Sequence, residues 1–177
     1  EPLADPAPLN VLWISQMASQ NGIKVLLSGS GGDDIFTGYR RHLAVNLEFF
    51  WDWLPIRLRS KLEKISGRLP ISYPFFRRLS KAFSAAGMSS EDRLLNYFRW
   101  VKREDLESLY SKDFKNLVKF EDTFKPMQDY LSDLPEDINK LTQMLCLEQR
   151  FFLSDHNLLY TDKMSMALGV ETRVPFL

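Results

Sequence analysis

The sequence predicts an α/β fold in which most of the chain is helical. One observation behind this prediction is an apolar run rich in branched side chains, residues 23–27, which is typical of a strand. A loop with three glycines and an acidic helix start, residues 28–36, follow it directly. The other observation is that residues 40–152 show several amphipathic helical patterns and no convincing strand. The order helix, strand, glycine loop, helix is typical of α/β proteins, in which ligands bind beyond the carboxyl end of the strand.

Local patterns predict the individual elements. Residues 8–20 place apolar side chains at helical spacing, and Asn21-Gly22 ends this helix. The strand 23–27 is expected to be buried because it is almost entirely apolar. Residues 91–102 and 135–147 each carry one apolar face and are predicted helices. The basic stretch 56–90 is interrupted by prolines and is predicted to be rich in loops or mobile.

Composition excludes several classes of protein. The net charge is zero, so no global field favours nucleic acid or an anionic membrane, and no apolar run approaches the length of a membrane span. The aromatic cluster 49–53 has no interleaved basic residues, which favours a core or interface patch over a nucleic-acid platform. The single cysteine, Cys146, fits a reducing compartment and predicts a cytoplasmic protein. Because the chain starts at Glu1 and ends in an apolar run, we expect a piece of a longer protein.

The glycine loop, residues 28–34, is the strongest candidate site. Glycines let backbone N–H groups approach a ligand, and a helix N-terminus offers further donors to an anion such as phosphate. Asp33 and Asp34 would repel a bare phosphate, but they suit a divalent cation held between carboxylate and phosphate. An ordinary tight turn with a solvated acidic helix start explains the same residues, and the loop alone leaves both interpretations open.

A second polar segment, residues 155–173, mixes polar and apolar side chains without clean helical periodicity. A lone histidine such as His156 is more typical of a hydrogen-bonded structural residue than of a catalyst. Lys163 beside Asp162 is more typical of a surface pair, and Glu171 with Arg173 is consistent with an ion pair on one strand face. Taken singly, these residues do not decide a function.

Taken together, the two segments resemble the synthetase domain of glutamine-hydrolysing asparagine synthetases, relatives of the PP-loop ATP pyrophosphatases. That family carries a loop similar to S-G-E/D-G-x-D-E followed by L-F-x-G-Y, which stands here as residues 28–39. Its late motif, D-x-N-L-L-x-x-D-K/R-M-S-M-A-x-x-x-E-x-R-V-P-F-L, is similar to residues 155–177 at almost every position. Residues 1–6 resemble the family's E-P-x-A-D-P entry, so the resemblance spans essentially the whole chain.

The resemblance implies a domain organisation. Residues 1–177 would be the C-terminal part of an asparagine synthase domain, with an adenine-nucleotide α-hydrolase-like (PP-loop) parallel sheet and a large helical remainder. Segments 1–39 and 155–177 would supply the nucleotide site, and residues 40–154 would form the helical region. The family's N-terminal glutaminase and its S-G-G-x-D-S pyrophosphate loop are absent from this sequence. The chain alone is therefore expected to be inactive.

The resemblance also implies an activity, adenylating amide formation. ATP, with Mg²⁺, would activate the carboxylate of aspartate or an analogue as an acyl-adenylate and release pyrophosphate. Ammonia produced from glutamine by a glutaminase domain would then displace AMP. No nucleic-acid or membrane partner is implied. A truncated sheet that exposes apolar surface could promote association as a homodimer.

Roles for particular residues follow from the same resemblance. The residues that would bind the nucleotide are Ser28, Gly29, Gly31, Asp162 and Lys163. Asp33 matches the aspartate that helps to hold Mg²⁺ on the phosphates. Lys163 would act catalytically, because a fixed ammonium stabilises the charge that develops during adenylation and on the leaving AMP. Asp162, Glu171 and Arg173 would mainly orient that lysine and hold its segment.

Ser30 departs from the family pattern and is the second candidate catalytic position. The family usually has a carboxylate there, near the point where the acceptor and ammonia meet, and a serine is a poor substitute for a base. The sequence therefore leaves open whether aspartate is the acceptor. Two alternatives also stay open: an adenylating cyclase similar to β-lactam-forming relatives, and a catalytically inactive scaffold or interaction domain.

Overall fold

The computed structural model describes the backbone of residues 5–70, 72–101, 103–117 and 123–177. Along these residues the helices are α1 (Ala7–Gln20), α2 (Gly32–Ile35), α3 (Arg40–Leu47), α4 (Ile56–Ser66), α5 (Pro74–Phe83), α6 (Ser90–Asn96), α7 (Arg103–Leu109), α8 (Lys112–Leu117), α9 (Lys125–Ser132), α10 (Lys140–Leu147) and α11 (Leu159–Met166). The strands are β1 (Val25–Leu27) and β2 (Glu171–Arg173). A 3₁₀ turn covers Glu48–Phe50, and a π-helical segment covers Glu148–Leu158. The predicted α/β class, mostly helical, is confirmed.

The chain divides into two compact units. The first unit combines the residues up to Tyr39 with Leu145–Leu177, and the second is Arg40–Met144. Both strands belong to the first unit, whereas the second is helical wherever it has regular structure in the described residues. None of the helices in the described part of the chain has the length and apolar character that crossing a membrane requires.

In the first unit, β1 and β2 form a parallel pair. Leu26 lies opposite Thr172, and the ladder continues past β1 because the Ser28 amide donates to the Arg173 carbonyl at 2.8 Å. Before β2, a turn with Gly169 at φ +65° leads from α11 into the strand, and the completely buried Val170 follows it. Because the strands are parallel, the residues after β1 and the residues after β2 emerge at the same sheet end.

The helix and the strand predicted within residues 8–27 lie where they were predicted, but the strand is less buried than predicted. The helix predicted at residues 8–20 is α1, and it ends at Asn21 and Gly22 as predicted. The strand predicted at residues 23–27 is shorter, and its predicted burial is wrong: Leu27 is 75% exposed. A parallel strand is normally covered by neighbours, and in the described residues β1 pairs with β2 alone.

The prediction that residues 56–90 are rich in loops is wrong, since α4 and α5 occupy most of that stretch. Pro55 precedes the first residue of α4, and Pro74 is the first residue of α5, so these prolines begin helices instead of interrupting them. The predicted helices 91–102 and 135–147 are shorter, as α6 and α10. The latter begins after Asn139, whose Oδ1 accepts the Thr142 amide at 2.9 Å.

The aromatic cluster 49–53 does not form a core. Phe49, Phe50 and Trp53 are 81%, 71% and 76% exposed, which contradicts the core interpretation and leaves the interface interpretation standing. Trp51 differs from them, because its ring contacts Phe83 at a centroid distance of 5.6 Å.

A buried ionic network holds the second unit together. Glu48 is 2% exposed and accepts a hydrogen bond from Arg93 Nε at 3.0 Å and one from the Tyr97 hydroxyl at 2.9 Å. It also pairs with Lys140, while Arg93 pairs in addition with Asp52. Burial lowers the pKa of Lys140, and the Glu48 carboxylate acts in the opposite direction. The network joins the 3₁₀ turn to α6 and α10.

Candidate functional site

The loop that follows β1 is shaped by its own serines and glycines. The Ser30 amide donates to Ser28 Oγ at 3.2 Å, and the two serine hydroxyls lie 2.8 Å apart. Gly31 has φ +86°, and α2 begins at the next residue, Gly32. The Gly32 amide donates to the Gly29 carbonyl at 3.2 Å, which closes the turn. The loop is therefore a defined turn whose two hydroxyls converge on each other.

Two glycines of this region are required by geometry. A Cβ on Gly31 would lie 3.0 Å from Leu177 Cδ2, in a backbone conformation that strains any other L-residue. A Cβ on Gly38 would collide with the Asp33 carboxylate and lie 3.0 Å from Asp33 Cα. Close backbone approach thus fixes both the turn and the position of Asp33.

We expect Gly31→Ala to destabilise the first unit by about 1–3 kcal/mol, because alanine at positive φ is strained and its Cβ meets Leu177. Urea unfolding of both proteins measures the difference. Gly29→Ala is the matched control, since a Cβ at Gly29 meets nothing within 4 Å. Equal losses for the two variants would contradict the geometric requirement at Gly31.

A cavity of about 340 Å³ opens beside the loop within the first unit. Its walls combine loop glycines, carboxylates, aromatic rings, one imidazole and one amide. The lining residues are Asp5, Gly29, Ser30, Gly31, Asp33, Asp34, Tyr39, Phe152, His156, Asn157 and Tyr160. Convergent polar groups in a concave site at the carboxyl end of a strand are the usual arrangement of a ligand pocket in α/β proteins.

One wall of the cavity is a histidine held by an aspartate. His156 Nε2 lies 2.9 Å from Asp5 Oδ2, and Asp5 Oδ1 accepts the Ala7 amide at 2.9 Å. The imidazole also contacts the rings of Phe152 and Tyr160, at centroid distances of 5.4 and 5.2 Å. The Ala7 amide and then the His156 ring hold the pKa of Asp5 below its ordinary value. His156 is hydrogen-bonded, as its lone position in the sequence predicted.

The lowered pKa of Asp5 predicts a pH-dependent contribution to stability. A carboxyl group whose pKa is lower in the folded state stabilises the fold above its ordinary pKa of 3.8, and this contribution disappears as the pH falls through the lower, folded value. We expect Asp5→Asn to lose about 1 kcal/mol at neutral pH. Urea unfolding at a series of pH values should show the difference from the unsubstituted protein vanishing in acid; a constant difference would contradict the prediction.

Further lining residues of the cavity are acidic and aromatic. Asp34 is 1% exposed, and the Tyr39 hydroxyl donates to its Oδ2 at 3.4 Å. The ring of Tyr39 contacts Phe152 edge-on at 6.0 Å. Burial raises the pKa of Tyr160, and the charges of Asp5 and Asp34 raise it further. The cavity therefore combines carboxyl and phenol side chains.

The predicted site residues divide into two groups. Gly29, Ser30, Gly31 and Asp33 line the cavity, whereas Ser28 does not line it but hydrogen-bonds through its hydroxyl to Ser30. By contrast, the side chains of Asp162 and Lys163 are exposed on α11 and do not line the cavity. Whether these two segments meet on one nucleotide stays a prediction.

Glu171 and Arg173 form the ion pair that their spacing on one strand face suggested. Arg173 Nε donates to Glu171 Oε1 at 2.8 Å, and both side chains are more than half exposed. The pair lowers the pKa of Glu171 and raises that of Arg173. Because both residues are solvated, the pair adds little stability.

The donor set of the loop fits a magnesium ion that arrives with phosphates. Among the described residues there is no group of three or more His, Cys, Asp or Glu side chains arranged to hold a metal. Mg²⁺ on a nucleotide needs fewer protein ligands, since one or two carboxylates share it with phosphate oxygens and water. The exposed carboxylate of Asp33 at the cavity wall is suited to this arrangement.

Sequence reasoning missed several cavity residues: Asp5, Tyr39, Asn157 and Tyr160. Asp5 and His156 are 151 positions apart, so no local pattern could pair them. The signal that was available is positional: Asp5 belongs to the entry segment 1–6 and His156 to the late segment 155–177, and both segments carry the resemblance.

A parallel strand pair with a glycine loop and a cavity at its carboxyl end defines an α/β protein with a candidate ligand pocket. The chain belongs to the asparagine synthase family, whose model matches residues 1–177. It is 29% identical over its full length to the putative glutamine-hydrolysing asparagine synthetases of Mycobacterium tuberculosis and Mycobacterium bovis. It is 28% identical to glutamine-hydrolysing asparagine synthetase 1 of Bacillus subtilis. The chain spans 26% of the length of these relatives. No solved structure matches it significantly.

Proposed function

We propose that the chain forms part of an ATP-dependent amidotransferase that adenylates a carboxylate and converts it into an amide. The observation that carries this proposal is the family match over the whole chain, together with the glycine loop and Asp33 at the carboxyl end of β1. We place it in a PP-loop nucleotide-binding fold in the cytoplasm, where ATP is available.

In this proposal the loop supplies the phosphate and metal contacts. Ser28, Gly29 and Gly31 face the nucleotide, and Asp33 shares Mg²⁺ with its phosphates. Mg²⁺ neutralises phosphate charge when it is bound. Lys163 adds a fixed positive charge for the α-phosphate or the pyrophosphate, with Asp162 beside it. The support for these roles is the position of the residues in the family's two motifs and the loop geometry described above.

The nitrogen source in the proposal is ammonia derived from glutamine, because the relatives are named as glutamine-hydrolysing enzymes. The acceptor is a small carboxylate, aspartate or an analogue of it. Ser30 affects which acceptor the site can take, since its hydroxyl is hydrogen-bonded to Ser28 Oγ and carries no charge.

Carboxylate-dependent exchange of labelled pyrophosphate into ATP tests the proposal directly. The complete gene product that contains this chain would be assayed with Mg²⁺ and, in turn, aspartate and its analogues such as glutamate. Exchange that depends on one of these acids is the expected result. If none of them supports exchange or ATP-dependent amide formation, the proposed function fails.

A second candidate function is an adenylating cyclase, and Ser30 favours it. In a cyclase an amine of the substrate itself attacks the acyl-adenylate, so the enzyme needs no site for free ammonia. The discriminating measurement is the nitrogen requirement of product formation. Amide formation that needs glutamine or ammonium supports the amidotransferase. Ring closure without either one supports the cyclase. An inactive scaffold would give neither exchange nor product.

A further inference from the structure

We propose that His156, oriented by Asp5, accepts the proton that the attacking amine loses during amide formation. This inference rests on the proposed function, because it assigns a residue to the second step of that reaction. His156 and Ser30 line the same cavity, although they lie in segments that are far apart in the sequence. The cavity therefore offers an imidazole beside the position where a carboxylate would be expected.

Ser30 itself is not suited to take this proton. An unactivated hydroxyl is a poor proton acceptor near neutral pH. Its Oγ lies 2.8 Å from Ser28 Oγ, so the two hydroxyls share a hydrogen bond within the loop. The proton acceptor for the amine must then come from another cavity residue.

Asp5 determines which imidazole nitrogen performs this role. Asp5 is a carboxylate with a lowered pKa, so it only accepts hydrogen bonds, and His156 Nε2 must donate at 2.9 Å. In a neutral imidazole the proton on Nε2 makes Nδ1 the basic nitrogen. Asp5 also stabilises the imidazolium that forms when Nδ1 takes a proton. Asp5 is thus a positioning residue for His156.

The packing around the ring keeps this geometry in place. The rings of Phe152 and Tyr160 both contact the imidazole, and both residues line the cavity. Two other acids line the cavity. Asp34 accepts a hydrogen bond from the Tyr39 hydroxyl, and Asp33 is the proposed ligand of Mg²⁺. Imidazole is the side chain that most often transfers protons near neutral pH, which favours His156 over these carboxylates.

The nitrogen of ammonia attacks the acyl carbon and forms the C–N bond. The bond from that carbon to the adenylate phosphate oxygen breaks, and AMP leaves with the electron pair. The one proton that the nitrogen loses passes to His156 Nδ1 and from there to solvent.

The test compares two partial reactions of the complete gene product, using the acid that supports pyrophosphate exchange. We expect His156→Gln to retain exchange but to form amide from ammonium chloride about a hundredfold more slowly, the usual loss when a general base is removed. With hydroxylamine the loss should be much smaller, because its less basic nitrogen carries a more acidic proton after attack and can release that proton to water without the histidine. Circular dichroism verifies that the variant is folded.

Asn157→Ala is the matched control, because Asn157 lines the same cavity but exchanges no proton. It should change the rates with both nucleophiles by the same factor. Adding Ser30→Glu to His156→Gln should restore part of the ammonia-dependent rate, since it returns a carboxylate to the loop. A purely structural histidine would not be rescued in this way.

A further readout does not depend on turnover. Nitrogen NMR of the His156 ring should show the Nε2–H tautomer in the unsubstituted protein and a smaller population of it in Asp5→Asn. The inference is overturned if His156→Gln slows both nucleophiles equally, abolishes exchange, or changes nothing. An unsubstituted protein without exchange for any acid would instead overturn the proposed function and this inference with it.

Discussion

Lys163→Ala, which removes a positive charge, is expected to reduce carboxylate-dependent pyrophosphate exchange by about a hundredfold to a thousandfold. A fixed charge aimed at developing phosphate charge typically contributes this much to a transition state. Lys163→Arg should retain most of the rate, because it keeps the charge and the family motif accepts either residue. The side chain of Lys163 is exposed, so the loss should appear without a loss of stability.

Asp33→Asn is expected to act on the same reaction through Mg²⁺. It should raise the Mg²⁺ concentration that half-saturates exchange, whereas Lys163→Ala should lower the maximal rate at saturating Mg²⁺. Lys24→Ala is the control for charge, since Lys24 is also exposed in the first unit but precedes β1, at the opposite strand end. Normal exchange and normal ATP affinity in both Lys163→Ala and Asp33→Asn would refute the assigned roles.

The sequence was sufficient for features that depend on local chemistry. The helix stop at Asn21-Gly22 and the strand before the glycine loop follow from φ preferences and side-chain periodicity, and they appear where they were predicted. The resemblance added the family, which the match over residues 1–177 confirms.

Features that depend on distant contacts could not be predicted. The exposure of Leu27 depends on how many strands cover β1, which the pattern of an apolar strand does not state. The prolines at positions 55 and 74 led to a wrong prediction of loops, although each lies where a helix begins. Proline breaks a helix interior but is favoured in the first turn, so its effect depends on its position relative to the helix. The pairing of Asp5 with His156 is likewise a consequence of the fold.

The buried charges of the second unit are the clearest case. Glu48 and Arg93 are 45 positions apart, and Glu48 and Lys140 are 92 apart. In the sequence each looks like an ordinary surface charge, yet Glu48 and Arg93 are both 2% exposed. Burial of a charge is tolerated when it is paired and hydrogen-bonded, so these residues depend on one another.

Glu48→Ala is therefore expected to destabilise the second unit by about 3–5 kcal/mol, because it leaves the buried Arg93 guanidinium and the half-buried Lys140 ammonium without their common partner. Asp129→Ala is the control: its pair with Lys125 is at least 60% exposed on both sides, and removing it should cost less than about 0.5 kcal/mol. Trp51, Trp53 and Trp100 lie in this unit, so tryptophan fluorescence during urea unfolding reports mainly on it.

The double variant Glu48→Leu/Lys140→Met separates two explanations of such a loss. If the cost comes from uncompensated charge, removing both partners should recover much of the stability, since Arg93 still has Asp52 and the Met88 carbonyl. If the cost comes from lost packing around Glu48, the double variant should be no more stable than Glu48→Ala. Recovery of stability is the expected outcome. Burial already disfavours the Lys140 ammonium by lowering its pKa, and the Glu48 carboxylate is the main group that stabilises this charge.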